Sequence, residues 1–111
     1  MATLFIEPGS LRSELSLQQR STAPDGMGGS VAGWSEVATL HARIEPLSDR
    51  VAFGADKTAQ RITHRITLRH RSGVSAGMRL VSGARIFAIS TVHDPDESGR
   101  YLVCRVIEEG P

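Results

Sequence analysis

Between Gln60 and Arg71 the chain alternates with a period of two. Ile62, His64, Ile66 and Leu68 take one set of positions, and Arg61, Thr63, Arg65, Thr67 and Arg69 take the other. That alternation marks a strand with one buried face. Three of these arginines also recur every four residues, as along a helix. The run Ile-Thr-His-Arg-Ile-Thr is rich in β-branched side chains, however, and these suit a pleated surface better than a helix. A strand that buries one face and turns an Arg/Thr stripe outward requires a sheet to belong to.

Other segments supply that sheet. Leu11, Ser13, Leu15 and Leu17 alternate with Arg12, Glu14, Ser16 and Gln18, which predicts a first strand ending at Arg20. Ser21 to Gly33 is dense in glycine and turn formers and reads as a long loop. Trp34 to Leu47 predicts a second strand stopped by Pro46, although Ala38 and Ala42 leave a helix possible. Ser48 to Ala59 has no clean period and reads as an excursion from the sheet, with Phe53 exposed unless a partner covers it. Met78 to Ser82 and Arg85 to Val92 form a hairpin about Gly83. His93 to Gly99 is an acidic turn. Tyr101 to Ile107 is a last strand, apolar on both faces and therefore central or interfacial. The fold class is all-β: about six short antiparallel strands in a small barrel or sandwich, with a long loop between the second and third strands.

At 111 residues the chain, 1–111, is expected to be a single domain, because either half would be too small to stabilise a core unaided. No apolar run reaches membrane-spanning length, and the start Met-Ala-Thr-Leu-Phe-Ile lacks the basic lead of a secretory signal, so no membrane partner is expected and the chain should remain in the cytoplasm that makes it. Cys104 is the single cysteine, which excludes an internal disulfide and reads as buried filler.

The net charge of +1 conceals a segregation. No acid lies between Asp56 and Asp94, an interval carrying Lys57, Arg61, Arg65, Arg69, Arg71, Arg79 and Arg85, or +7, so the remainder sums to −6. Twelve of the thirteen basic residues are arginine, the side chain suited to bidentate pairing with carboxylate or phosphate. The interval reads either as an exposed strand paired with acids of its own domain or as a surface for a neighbour's acids or DNA phosphates. Aromatics are too few and too scattered for base stacking, so any DNA contact would ignore sequence.

The sequence offers no catalytic constellation and no cofactor site. His41, His64, His70 and His93 lack metal-ligand spacing. Asp94-Pro-Asp96-Glu-Ser98-Gly99 imitates the start of a calcium loop, but Arg105 stands where that loop needs a bidentate Glu. Gly26-Met-Gly28-Gly29 is neither a dinucleotide fingerprint nor a phosphate loop, and no serine sits in a nucleophile elbow. The chain is expected not to be an enzyme.

In order and spacing, several segments together resemble the head-tail joining, or head-completion, proteins of siphoviruses and gene transfer agents, also called stopper or adaptor proteins. They are Gly9-Ser-Leu-Arg12, Asp25-Gly-Met-Gly-Gly29, Trp34 to Pro46, Thr63 to Arg71, Gly77-Met-Arg79 and Arg85 to Ile89. The resemblance implies a small β-barrel in a ring of six or twelve copies at the head-tail neck of a virion or phage-like particle. Its partners would be a portal or adaptor protein above, a tail terminator or tail tube protein below, and packaged double-stranded DNA. It further implies that Ser48 to Ala59 can face the channel, making Arg50 and Lys57 candidates for DNA phosphates and Phe53 a plug against a neighbour. Arg61, Arg65 and Arg69, with Asp94, Asp96 and Glu97, are the candidates for contacts between subunits. A tail-completion or tail-terminator subunit is the alternative in the same particle, and a free nucleic-acid-binding barrel is the alternative from another class.

Overall fold

The computed structural model describes residues 8–53 and 59–109, with side chains at 9–47 and 61–109. A short 3-10 turn, Pro8–Ser10, leads into six strands: β1 (Ser13–Pro24), β2 (Ser30–Phe53), β3 (Ala59–Arg69), β4 (Arg79–Ser82), β5 (Arg85–His93) and β6 (Tyr101–Glu109). All neighbours pair antiparallel, and the order β1-β2-β3-β6-β5-β4 closes on itself as a barrel through β4 and β1. Closure follows from the alternation in the sequence. Leu15 and Leu17, Ile66 and Leu68, Leu80, Phe87 and Ile89, and Leu102, Cys104 and Val106 all point inward and are buried together. The turn between β4 and β5 is two residues long, with Gly83 at φ 58 in its first position, as a type II′ hairpin requires.

β2 departs from expectation at both ends. Its 24 residues form the spine of two hairpins that leave the barrel in opposite directions along the strand. Toward its start, the segment expected to be a loop is ladder instead: Gln19 to Pro24 pair with Ser35 to Ser30, and only residues 25–29 connect them. The glycines that suggested flexibility serve a closed turn. Gly26 and Gly28 adopt φ 81 and 84. Asp25 accepts hydrogen bonds from the backbone N–H of Met27 (2.7 Å) and of Gly29 (3.0 Å), which hold its carboxyl below the usual range.

Toward its other end, β2 does not stop at Pro46. Proline cannot donate to the ladder, so the register slips between Pro46 and Arg50, and pairing then resumes from Arg50↔Ile62 to Phe53↔Ala59. Most of the expected excursion is thus strand. Lys57 lies outside the described residues, as do the side chains of Arg50 and Phe53.

A straight strand of 24 residues would span about 80 Å, yet the longest dimension of the molecule is 54 Å. β2 must therefore coil. The slip at Pro46 and a bulge that leaves Val37 unpaired opposite Leu17 and Gln18 are where it can bend. The radius of gyration, 15.3 Å, exceeds the roughly 13 Å of a compact domain of this length, as an arm projecting from a barrel would make it.

Candidate assembly surface

The outer face of β2, β3 and β6 gathers the arginines. Arg65 and Arg69 project from β3, Arg43 from β2 and Arg105 from β6, and all four are exposed. Arg65 is bound by Glu45, its ladder partner on β2, through Nη2 at 3.0 Å and Nε at 3.3 Å, and Arg43 reaches the same carboxylate at 3.5 Å. On its other side Arg65 stands directly opposite Arg105. Like charges so placed repel, and one carboxylate, Glu45, offsets part of the positive charge on this face. The side chains of Arg69 and Arg105 make no hydrogen bond or ion pair among the described residues. Arg61, further back on β3, is exposed and engaged in an interaction of its own.

Thr67, expected on the solvent side, is 3% exposed, and Val103 beside it on β6 is 6% exposed. Arg43, Arg65, Arg69 and Arg105 surround this pair in the sheet, and their aliphatic stems are long enough to cover it while the guanidinium groups reach water. The apolar outer face predicted for the last strand is this small patch. Arg43 and Arg105 escaped the sequence reading because they lie outside the acid-free interval. Their outward alternation with Ala42, Ile44, Cys104 and Val106 is the signal that could have found them.

The charge segregation along the chain is partly cancelled in space. Besides Arg65, Arg85 is neutralised within the barrel by Glu108, with Nε–Oε2 at 2.8 Å and Nη2–Oε1 at 3.3 Å. Arg79 donates to Gln18 at 2.8 Å and lies 4.2 Å over the Trp34 ring, where Arg20 also approaches to 5.2 Å. These two cations fix the root of the β1–β2 hairpin.

The Arg85–Glu108 pair belongs to a network that closes the barrel. Thr63 Oγ1 accepts the backbone N–H of Glu108 at 2.7 Å and lies 2.8 Å from His64 Nδ1. His64 sets its ring edge-on to Phe87, with centroids 5.2 Å apart, and its Nε2 lies 3.5 Å from Arg85 Nη2. Burial lowers the His64 pKa, Glu108 opposes the shift and Arg85 adds to it. A neutral ring with its proton on Nδ1 suits both neighbours.

The acidic turn is largely self-contained. Asp94 accepts the N–H of Gly99 at 2.8 Å and of Asp96 at 3.3 Å. Asp96 accepts Ser98 Oγ at 2.6 Å and pairs with Arg100 at 3.0 Å. Glu97, at φ 57, is the acid of the three that is exposed and makes no contact among the described residues. Cys104 is sealed in the core, and burial pushes its thiol up to about 12.

Known proteins share this fold. The model of the phage head completion protein family matches residues 6–110. The chain belongs to that family. Among solved structures, a chain from the virion of a native gene transfer agent particle superposes with a TM-score of 0.64 at 26% identity, covering 89% of this chain and 94% of that one. Protein SF1141 from Shigella flexneri 2a superposes with a TM-score of 0.63 at 20% identity, covering 91% and 96%, and shares the fold. No curated protein matches the chain. The family match thus covers the strands that carry both the arginine face and the β1–β2 hairpin.

Proposed function

We propose that this head-completion protein forms a ring at the neck of a phage or phage-like particle, where it retains the packaged DNA and offers the surface to which the tail attaches. A structural role in the completed head follows from the family, and the match over residues 6–110 is the observation that carries it. The finer reading draws on the surface chemistry. A basic face around Arg65, Arg69 and Arg105 suits the acids of an adjoining subunit, with Glu97 as the exposed acid of the turn, and repeated contacts around a closed ring multiply a weak one. The stretch of sequence that carries Arg50, Phe53 and Lys57 would face the channel, where the two cations would meet DNA phosphates without reading sequence. A portal or adaptor ring would lie above and a tail terminator or tail tube ring below.

Removing the gene from the producing strain tests this reading. Filled heads should accumulate without tails and release their DNA, while free tails assemble normally. Particles that stay tailed and filled without the protein would contradict it.

A further inference from the structure

Among the described residues, the β1–β2 hairpin is left with two open edges. β4 covers β1 only at Ser16–Gln18, and β3 covers β2 only from Ala42 onward. Beyond these points, among the described residues, Gln19–Pro24 pair only with Ser30–Ser35 and Ser30–His41 only with Glu14–Pro24, so each keeps one open edge along a two-stranded arm. Such a ribbon is marginal in water by itself, and an open edge is a template for another strand. Natural edges are commonly blunted by lysine, proline or inward charge. From Ser30 to His41, β2 has no proline, lysine or arginine. Its single acid, Glu36, is held by Ser16 at 2.9 Å and Thr39 at 3.1 Å. Among the described residues, the exposed large hydrophobics, Met27 (89%), Val31 (57%) and Val37 (37%), all lie on this arm or its tip.

Resting on the ring reading above, we propose that the Ser30–His41 edge of one copy takes the Gln19–Pro24 edge of the next, joining the arms into one antiparallel sheet. The direction of the strands selects this occupant. β1 runs from the barrel to the tip and β2 from the tip back. Copies related by rotation about one axis point their arms the same way, so β2 of one copy meets β1 of its neighbour antiparallel. This contact is heterologous and can close a ring, whereas β2 against β2 would give a two-fold pair that stops at a dimer. Charge agrees at the base of the edge. Arg69, His70 and Arg71 line a pocket of about 320 Å³ beside Leu40 and His41, and an incoming β1 brings its exposed Glu14 toward that end.

The test uses two single-cysteine additions, Thr22→Cys on β1 and Ala32→Cys on β2, both at exposed positions. Cys104 is silent because it is buried with a raised pKa. Particles are assembled from each variant alone and from the two co-expressed, then treated with a short thiol-to-thiol crosslinker. Covalent dimers should appear in the mixture and not with either variant alone. Dimers from Ala32→Cys alone would show β2–β2 pairing and overturn the proposal. A neck ring visible by microscopy that yields no crosslink in the mixture would also overturn it and leave the ring reading standing, whereas absence of any ring would sink both. Independently, the backbone amides of Ser30–His41 should exchange at least about tenfold more slowly in particles than in the free subunit, and unchanged exchange within an intact ring would count against strand addition.

Discussion

The barrel and the β1–β2 arm share the same two strands but differ in what surrounds them. Leu15 and Leu17 of β1 are 1% and 0% exposed, sealed against β4 and β2, whereas from Gln19 onward the same strand has a neighbour on one side only. In β2, Ala42 is fully buried while Val31 is more than half exposed. The barrel is stabilised by its own apolar interior. The arm has hydrogen bonds along one seam and a clasp at its root, where Arg20 and Arg79 flank Trp34. With assembly carried by the arm, as proposed above, stability and assembly fall on different stretches of one continuous strand pair, and substitutions should separate them.

The largest effect is expected in the barrel. Phe87→Ala removes a ring that is 0% exposed and should cost about 3–5 kcal/mol in chemical denaturation. A loss below about 1 kcal/mol would mean that the closed barrel does not carry the stability. Thr63→Val comes next, because it deprives the Glu108 N–H and His64 of their shared oxygen. It should cost about 1–3 kcal/mol, and Thr63→Ser should restore most of it.

Acid should weaken the barrel through His64. Its pKa in the folded protein lies below the ordinary 6.5, so the unfolded chain takes up the proton first as the pH falls. The His64 contribution is full above pH 6.5 and declines as the pH drops from there toward the folded value. Glu108, whose pKa is lowered by hydrogen bonds from Arg85, contributes stability that is present above its ordinary 4.5 and is lost at lower pH, as its own folded pKa is passed. The denaturation midpoint should fall within each of those two windows in wild type and lose the upper step in His64→Gln. An unchanged upper step in the variant would exonerate His64.

The smallest effect on the free subunit should come from the arm. Replacing Ser21–Gly33 with Asn-Gly joins Arg20 to Trp34, which already face each other in the ladder, through a two-residue hairpin turn. The stability of the barrel should change by no more than about 0.5 kcal/mol, while incorporation into particles is lost. A shortened protein that still joins heads to tails would show that the arm is dispensable.

Much of the barrel was legible because the inward positions of β1, β3, β4 and β5 alternate cleanly. The arm was not, since Ser21–Gly33 carries small and polar residues that match a loop in composition, and only its pairing across the Asp25–Gly29 turn makes it strand. Pro46 misled for a related reason: proline breaks one ladder position, and β2 was long enough to resume beyond it. On the arginine face, Arg61, Arg65 and Arg69 were visible as one stripe, but Arg43 and Arg105 join it only through the neighbouring strands. The internal partners of Arg65 and Arg85 are likewise twenty or more residues away in the chain. Contacts made across a barrel leave no local trace in sequence.

Electron cryomicroscopy of intact particles, with this chain fitted into the neck density, tests the central claim most directly. The account predicts a ring of identical barrels between the portal layers and the tail, with the segment from Arg50 to Lys57 toward the DNA. A neck fully explained by other chains, with this protein absent from it or placed elsewhere in the particle, would contradict it.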